Sequence, residues 1–379
     1  MNCHTENKNY SPGLEGIIAG VSAVSEINPG TEHLSYRGYD IHDLVERSNY
    51  EETAYLLLYG KLPSCSELTE FSNQLHQNRY LDSDFTNFLK KIPVDAHPMD
   101  TLRFGISYLS LIDPDKNDMS HDANIRKAIR ILAKASTIIA ASYRISQGME
   151  PVEPRDDLSR PHNFLYMING EVPDDFSAKV FDKSVILYAE HGFNASTFCA
   201  RVTCSTLSDM YSAIIAAIGT LKGPLHGGAN EKAMDMLIEI GDPQKAQDWV
   251  HDALQNKKRI MGFGHREYKK GDPRARILKP LFKELSERLG NMKWYEISEI
   301  VEDIIVKEKK LPPNVDFPSG PIYHLLGLPP KLYTPIFALA RFAGWSAHVI
   351  EQLENNRLIR PECIYNGERN LKYVPIDKR

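Results

Sequence analysis

Helical periodicity runs almost unbroken from residue 40 to residue 355, and no later segment shows sustained apolar/polar alternation. That pattern excludes most sheet architectures. A doubly wound fold needs strands alternating with helices, and no such rhythm occurs. Only residues 13–37 alternate weakly, through Ile17, Ile18, Val21, Val24, Ile27, Leu34 and Tyr36, with Asn28-Pro29-Gly30 as a turn signal. They predict a small N-terminal β-hairpin. The fold class is therefore mainly α.

Start and stop signals divide the helical part. Asn49 and Ser64, each followed three residues later by Glu, read as capping boxes, and Gly60 and Pro63 read as stops. Helices are expected over Leu102–Leu111, Ile125–Ser146 and Phe181–Ala189, with Pro151, Pro154 and Pro161 in a long connection before Phe164. The composition changes near Gly223-Pro224, and Lys331–Asn355 is again a long apolar helix. Two domains are expected: a large helical one from 1–222 plus 327–379, and a smaller inserted one over 223–326. The cleft between them is the expected small-molecule site.

The 379 residues are 42% hydrophobic and 25% charged, as in ordinary globular proteins. A net charge of -5 argues against a general nucleic-acid binder. No run is long and apolar enough to span a membrane. Residues 1–8 lack the apolar core of a signal peptide. The five cysteines show neither CxxC spacing nor an even framework, which suggests structural thiols in a reducing, cytoplasmic compartment.

Three polar turns carry chemistry. His226 lies in Gly223-Pro224-Leu225-His226-Gly227-Gly228, just before an expected helix N-terminus that disfavours imidazolium. A neutral imidazole there can polarise a carbonyl. The glycines permit close approach of a ligand, and an ordinary turn histidine is the plain alternative. His265 follows Ile260-Met261-Gly262-Phe263-Gly264, which is not GxGxxG because Glu267 takes the third glycine's place. That run offers backbone groups to a flat ring, or is simply a tight turn. Asp316 sits among Pro312, Pro313, Pro318 and Gly320, so a rigid loop is expected to hold it. Partial burial would raise it toward a useful base, and an Asx-turn aspartate is the alternative.

Arginines occupy odd places. Arg341 lies within an apolar helical stretch, Ile336–Trp345, and needs an anion there, from the protein or from a substrate. His348 follows two turns later on roughly the same face. Arg274, in Asp272-Pro273-Arg274, and Arg360, before Pro361, are fit to grip carboxylates or to form surface salt bridges. Neither a HExxH motif nor a Cys/His cluster indicates a metal, and no GxSxG elbow indicates a serine hydrolase.

The segments Tyr36–Asp40, Glu190–Thr197, Gly223–Asn230, Ile260–Arg274, Asn314–Gly320 and Arg341–His348 together resemble citrate synthase, in order and over nearly the whole chain. The resemblance implies condensation of acetyl-CoA with oxaloacetate and water to give citrate and CoA, with no metal or permanently bound cofactor. It implies that Asp316 removes a proton from the acetyl methyl group, that His226 stabilises the enol or enolate, and that His265 protonates the oxaloacetate keto oxygen. His191, Arg274 and Arg341 would hold oxaloacetate. Arg360 would reach the active site of a partner subunit in a homodimer. Arg259, Ile260, Met261, Gly262 and Phe263 would line the CoA adenine, and Lys269, Lys309, Lys310 and Asn314 would meet its phosphates. Glu267 and Pro318 stand where the family often has Val and Tyr; Glu267 is expected to repel phosphate, and Pro318 to alter the Asp316 loop. 2-Methylcitrate synthase, acting on propionyl-CoA, shares these motifs and is the alternative activity. A non-catalytic homo-oligomeric scaffold is the alternative from another class.

Overall fold

The computed structural model describes residues 10–28 and 30–379. The readings made on residues 1–8, Cys3 and Pro29 lie outside these. Three short antiparallel strands open the fold: β1 (Ser25–Asn28), β2 (His33–Tyr36) and β3 (Tyr39–Asp40). The hairpin register pairs Ser25 with Tyr36 and Asn28 with His33. The sheet is thus narrower than expected at its start and gains a third strand. Ile17, Ile18 and Val21 fall outside it, in an irregular segment without ladder partners.

Helices follow. The first group is α1 (Ile41–Arg47), α2 (Tyr50–Tyr59), α3 (Cys65–Asn78), α4 (Ser83–Leu89), α5 (Pro98–Ile112) and α6 (His121–Ser146). Next come α7 (Arg160–Asn169), α8 (Asp175–Tyr188), α9 (Ala195–Ser205) and α10 (Met210–Leu221). The third group is α11 (Ala229–Ile240), α12 (Pro243–Gln255), α13 (Pro273–Arg288), α14 (Lys293–Lys309) and α15 (Asp316–Leu325), and α16 (Tyr333–Glu354) closes the series. Side-chain caps start most of them. Ser64 and Glu67 complete the reciprocal capping box of α3, whereas Asn49 caps α2 through Glu52 N alone. Pro161 is not in a connection. It occupies the first turn of α7, where its missing N–H has no intrahelical partner to lose.

α16 is the axis of the molecule. Every residue from Tyr333 to Ile350 is buried, and α16 packs on α2, α6, α8, α9 and α10. Small residues Ala340, Ala343 and Gly344 let neighbours approach closely; a Cβ on Gly344 would collide with Ala189 O and Glu190 Oε2. Helices α11 to α15 pack chiefly on one another, with α13 touching α8 and α11 touching α16. No helix among the described residues is long and apolar enough to cross a membrane.

Candidate active site

A cavity of about 1010 Å³ lies where the end of α8, the start of α9, α16 and the 259–267 and 314–316 segments converge. His191, His226, His265, Arg274, Asp316 and Arg341 all line it. So do Arg259 to Phe263 and Asn314. Lys269, Lys309 and Lys310 are exposed and do not line it, and neither does the exposed Arg360.

His226 lies in the turn between α10 and α11, as expected, but the helix end it meets is that of α9. The Ser196 backbone N–H donates to its Nε2 at 3.3 Å, and Ser196 Oγ lies at 2.8 Å. A backbone N–H only donates, so Nε2 is an acceptor and the neutral ring carries its proton on Nδ1. Burial, and then the Arg341 charge, push its pKa down to about 4.

His265 is oriented from below. Its Nδ1 accepts from the backbone N–H groups of Glu267 (3.1 Å) and Tyr268 (3.3 Å); these two shorter bonds outweigh the 3.5 Å approach of Arg274 Nη2 to Nε2 and leave the proton of the neutral ring on Nε2. Burial, followed by Arg274, lowers it to about 4. Its ring meets His191 edge-on at 5.1 Å. His191 is itself held far below the usual histidine range by burial and by Arg274.

Arg274 does not lie free. Asp272 caps α13 through Arg274 N and grips the guanidinium with two bonds, Nε to Oδ1 at 2.9 Å and Nη2 to Oδ2 at 2.8 Å. Burial opposes the Arg274 charge, and the Asp272 carboxylate outweighs that penalty, so its pKa is raised. Asp272 Oδ2 also accepts from Val315 N at 3.1 Å, tying this pair to the segment that carries Asp316.

Arg341 is 1% exposed, and its Nε donates to Tyr188 O at 2.6 Å. Its Nη1 is buried with no partner, and among the described residues no carboxylate lies within ion-pair distance of it. Among the described residues the protein therefore supplies no carboxylate partner for this guanidinium. Burial lowers it to about 10, so it stays charged at neutral pH. Its guanidinium faces the Phe337 ring at 4.9 Å. His348 does not share this role: it pairs with Glu190 at 2.9 Å, and Glu190 Oε1 also accepts from Ser25 Oγ and Gly192 N.

Asp316 begins α15 rather than sitting in a loop. Pro318 falls in the first turn of that helix, where a missing N–H removes no helical bond, so it does not distort the segment. Burial raises the Asp316 carboxyl to about 6, although the Tyr188 hydroxyl, which donates to Oδ1 at 2.7 Å, works against the rise. Asn314 is already engaged: its amide donates to Gly264 O at 2.9 Å and its oxygen accepts from Asp316 N at 3.1 Å. With Gly264 N to Pro312 O and Asn314 N to Gly262 O, it laces the 262–264 run to the Asp316 segment. Gly262 has φ +84, and a Cβ there would press on Phe317 at 2.8 Å, so only glycine fits.

Sequence reasoning missed Tyr188, Ser196 and Tyr268, which sit in ordinary helical or turn contexts. Asp272 carried a legible signal, an aspartate before a proline at a helix start. Among the described residues no group of three or more His, Cys, Asp or Glu is arranged to hold a metal ion.

This arrangement of uncharged imidazoles, a buried carboxyl and buried guanidiniums suits carbon-acid chemistry on a polyanionic substrate. A family profile described as "Citrate synthase, C-terminal domain" matches residues 13–362. The chain is 50% identical over 368 residues to citrate synthase 2 of Bacillus subtilis, covering 97% of this chain and 98% of that protein. It is 45% identical to 2-methylcitrate synthase 2 of Corynebacterium glutamicum, covering 97% of each. A solved structure of citrate synthase from Thermoplasma acidophilum, in ternary complex with carboxymethyl coenzyme A and oxaloacetate, superposes with a TM-score of 0.91 at 35% identity, covering 98% and 99% of the two chains. The chain belongs to the citrate synthase family. It is an enzyme, an acyltransferase of the citrate synthase type.

Proposed function

We propose that the cavity condenses acetyl-CoA with oxaloacetate and water, giving citrate and CoA. The unpartnered Nη1 of buried Arg341, in one cavity with His226, His265 and Asp316, is the observation that carries this reading. A buried guanidinium without a protein anion is costly unless a ligand carboxylate completes it. Arg274, pre-oriented by Asp272, and His191 complete the oxaloacetate site.

In this reading Asp316 takes a proton from the acetyl methyl carbon. A carboxyl raised by burial is a stronger base than an exposed one. His226 donates its Nδ1–H to the thioester oxygen and stabilises the enol or enolate. Because the ring resists protonation, it donates as a neutral acid. His265 donates Nε2–H to the oxaloacetate keto oxygen as the C–C bond forms. Water then hydrolyses the thioester. The Arg259–Phe263 run receives the adenine. Lys269, Lys309 and Lys310, exposed outside the cavity lining, neutralise the phosphates, while Asn314 acts by shaping the loop. Helices α11 to α15, within 223–326, form the smaller domain and close the site against water.

The enzyme is further proposed to act as a homodimer in the cytoplasm, with Arg360 of one subunit completing the other's site. The position of Arg360 outside its own cavity favours this. The free thiols of Cys65, Cys199, Cys204 and Cys363 accord with a reducing compartment.

The direct test is CoA thiol release on mixing acetyl-CoA with oxaloacetate. Asp316→Asn is expected to lower kcat by about 10²–10⁴-fold; full activity in that variant would end the assignment. The likeness to a 2-methylcitrate synthase keeps a second acyl group in view. Specificity constants for acetyl-CoA and propionyl-CoA, measured side by side, decide between them, since one methylene changes binding by only about 1–3 kcal/mol.

A further inference from the structure

We propose that Tyr188 is a positioning residue for this site: its hydroxyl pins Oδ1 of Asp316 and leaves Oδ2 to meet the substrate. The inference rests on Asp316 being the base. Tyr188 is the last residue of α8, and Asp316 the first of α15, so the bond joins two elements that are far apart in the chain. The phenol is fully buried and its ring packs on Phe337 at 4.6 Å, which fixes the position of the phenol oxygen. The hydroxyl lies 2.7 Å from Asp316 Oδ1 and 2.7 Å from Ser319 Oγ. An ionised carboxylate only accepts, so the phenol proton points to Asp316, and Ser319 Oγ donates to the phenol oxygen at 2.7 Å in preference to the Asp316 carbonyl at 3.2 Å. A chain of two aligned bonds polarises the second one. Oδ2 has no hydrogen-bond partner among the described residues, and the carboxyl lines the cavity.

Burial holds the phenol far above its ordinary pKa, so it remains a donor throughout the working range. A bond donated to the ionised carboxylate favours that form, and its loss raises the carboxyl pKa. Tyr188 therefore offsets part of the burial penalty and keeps the base ionised at neutral pH.

The experiment compares the pH dependence of kcat for the native enzyme, Tyr188→Phe, and a variant with 3-fluorotyrosine at position 188. Phe keeps the ring packing and removes only the hydroxyl. Its acid limb is expected to move up by about one pH unit, with KM for oxaloacetate unchanged because the Tyr188 carbonyl that holds Arg341 remains. The fluorinated, more acidic phenol is a better donor and is expected to move the limb down. A merely structural phenol would change the melting temperature and leave the limb in place. An unchanged limb in both variants, in an enzyme that Asp316→Asn inactivates, overturns the proposal. Should Asp316→Asn remain active, the base assignment fails instead, and the role of Tyr188 falls with it. If the Phe variant does not fold, the fluorotyrosine arm alone decides.

Discussion

Asp316 and the two histidines differ in what burial does to them, and the proposed chemistry depends on that difference. Burial raises Asp316 to about 6 and lowers His226 and His265 to about 4. The base works only when ionised, so activity is expected above about pH 6 and lost as the pH falls through that value. The histidines are neutral on both sides of that limb and add none between pH 5 and pH 8. A kcat–pH profile checks this; a limb near pH 6.5 that follows His226→Asn instead of Asp316 would refute it. At this scale the sequence showed which ionisable residues matter, because glycine and proline turns single them out. It did not show their partners. The chain places His226 just before the N-terminus of α11, yet the donor that fixes its tautomer is Ser196 N–H at the start of α9. Such a pairing arises only when distant segments pack.

Among the elements, α16 decides how the site is supported. Arg341 projects from it beside Ala340 and Gly344, and the chain from Tyr188 to His191 lies across that face. Gly344→Ala is expected to displace Glu190 and His191. Overpacking of this kind costs about 1–3 kcal/mol, so the melting temperature should drop and KM for oxaloacetate should rise together. A variant with native KM would show that the 189–191 segment has room to yield. The periodicity of α16 was plain in the sequence, as were the caps of α2 and α3. The start of α15 was not: Pro312, Pro313, Pro318 and Gly320 around Asp316 read as loop. A proline in the first turn removes no helical hydrogen bond, and Asp272 anchors the turn through Val315 N. The irregular path of residues 13–22 was equally hidden, because weak alternation does not reveal whether a partner strand exists.

For the whole molecule, the C-terminal segment after α16 exposes Leu358, Ile364, Tyr365, Leu371 and Tyr373, with Arg360 among them. If subunits share sites as proposed, Asp316→Asn and Arg360→Ala chains, each weak alone, should restore activity when unfolded and refolded together. In a two-fold dimer each hybrid holds one intact site, so recovery approaches about a quarter of the native rate. No recovery above the separate variants would place Arg360 in its own subunit's site or outside catalysis. The sequence by itself determined the mainly helical class, the family, and the ionisable residues of the cavity, because periodicity and turn chemistry are local and these motifs are short. Tertiary structure decided which ring nitrogen carries a proton, which guanidinium is already paired and which is open, and how far burial moves each group. The Arg274–Asp272 pair and the donors to His265 are close in the chain, but the tautomer of His226, the open end of Arg341 and the hold on Asp316 depend on desolvation and on partners 30, 153 and 128 residues away, and no local pattern contains those.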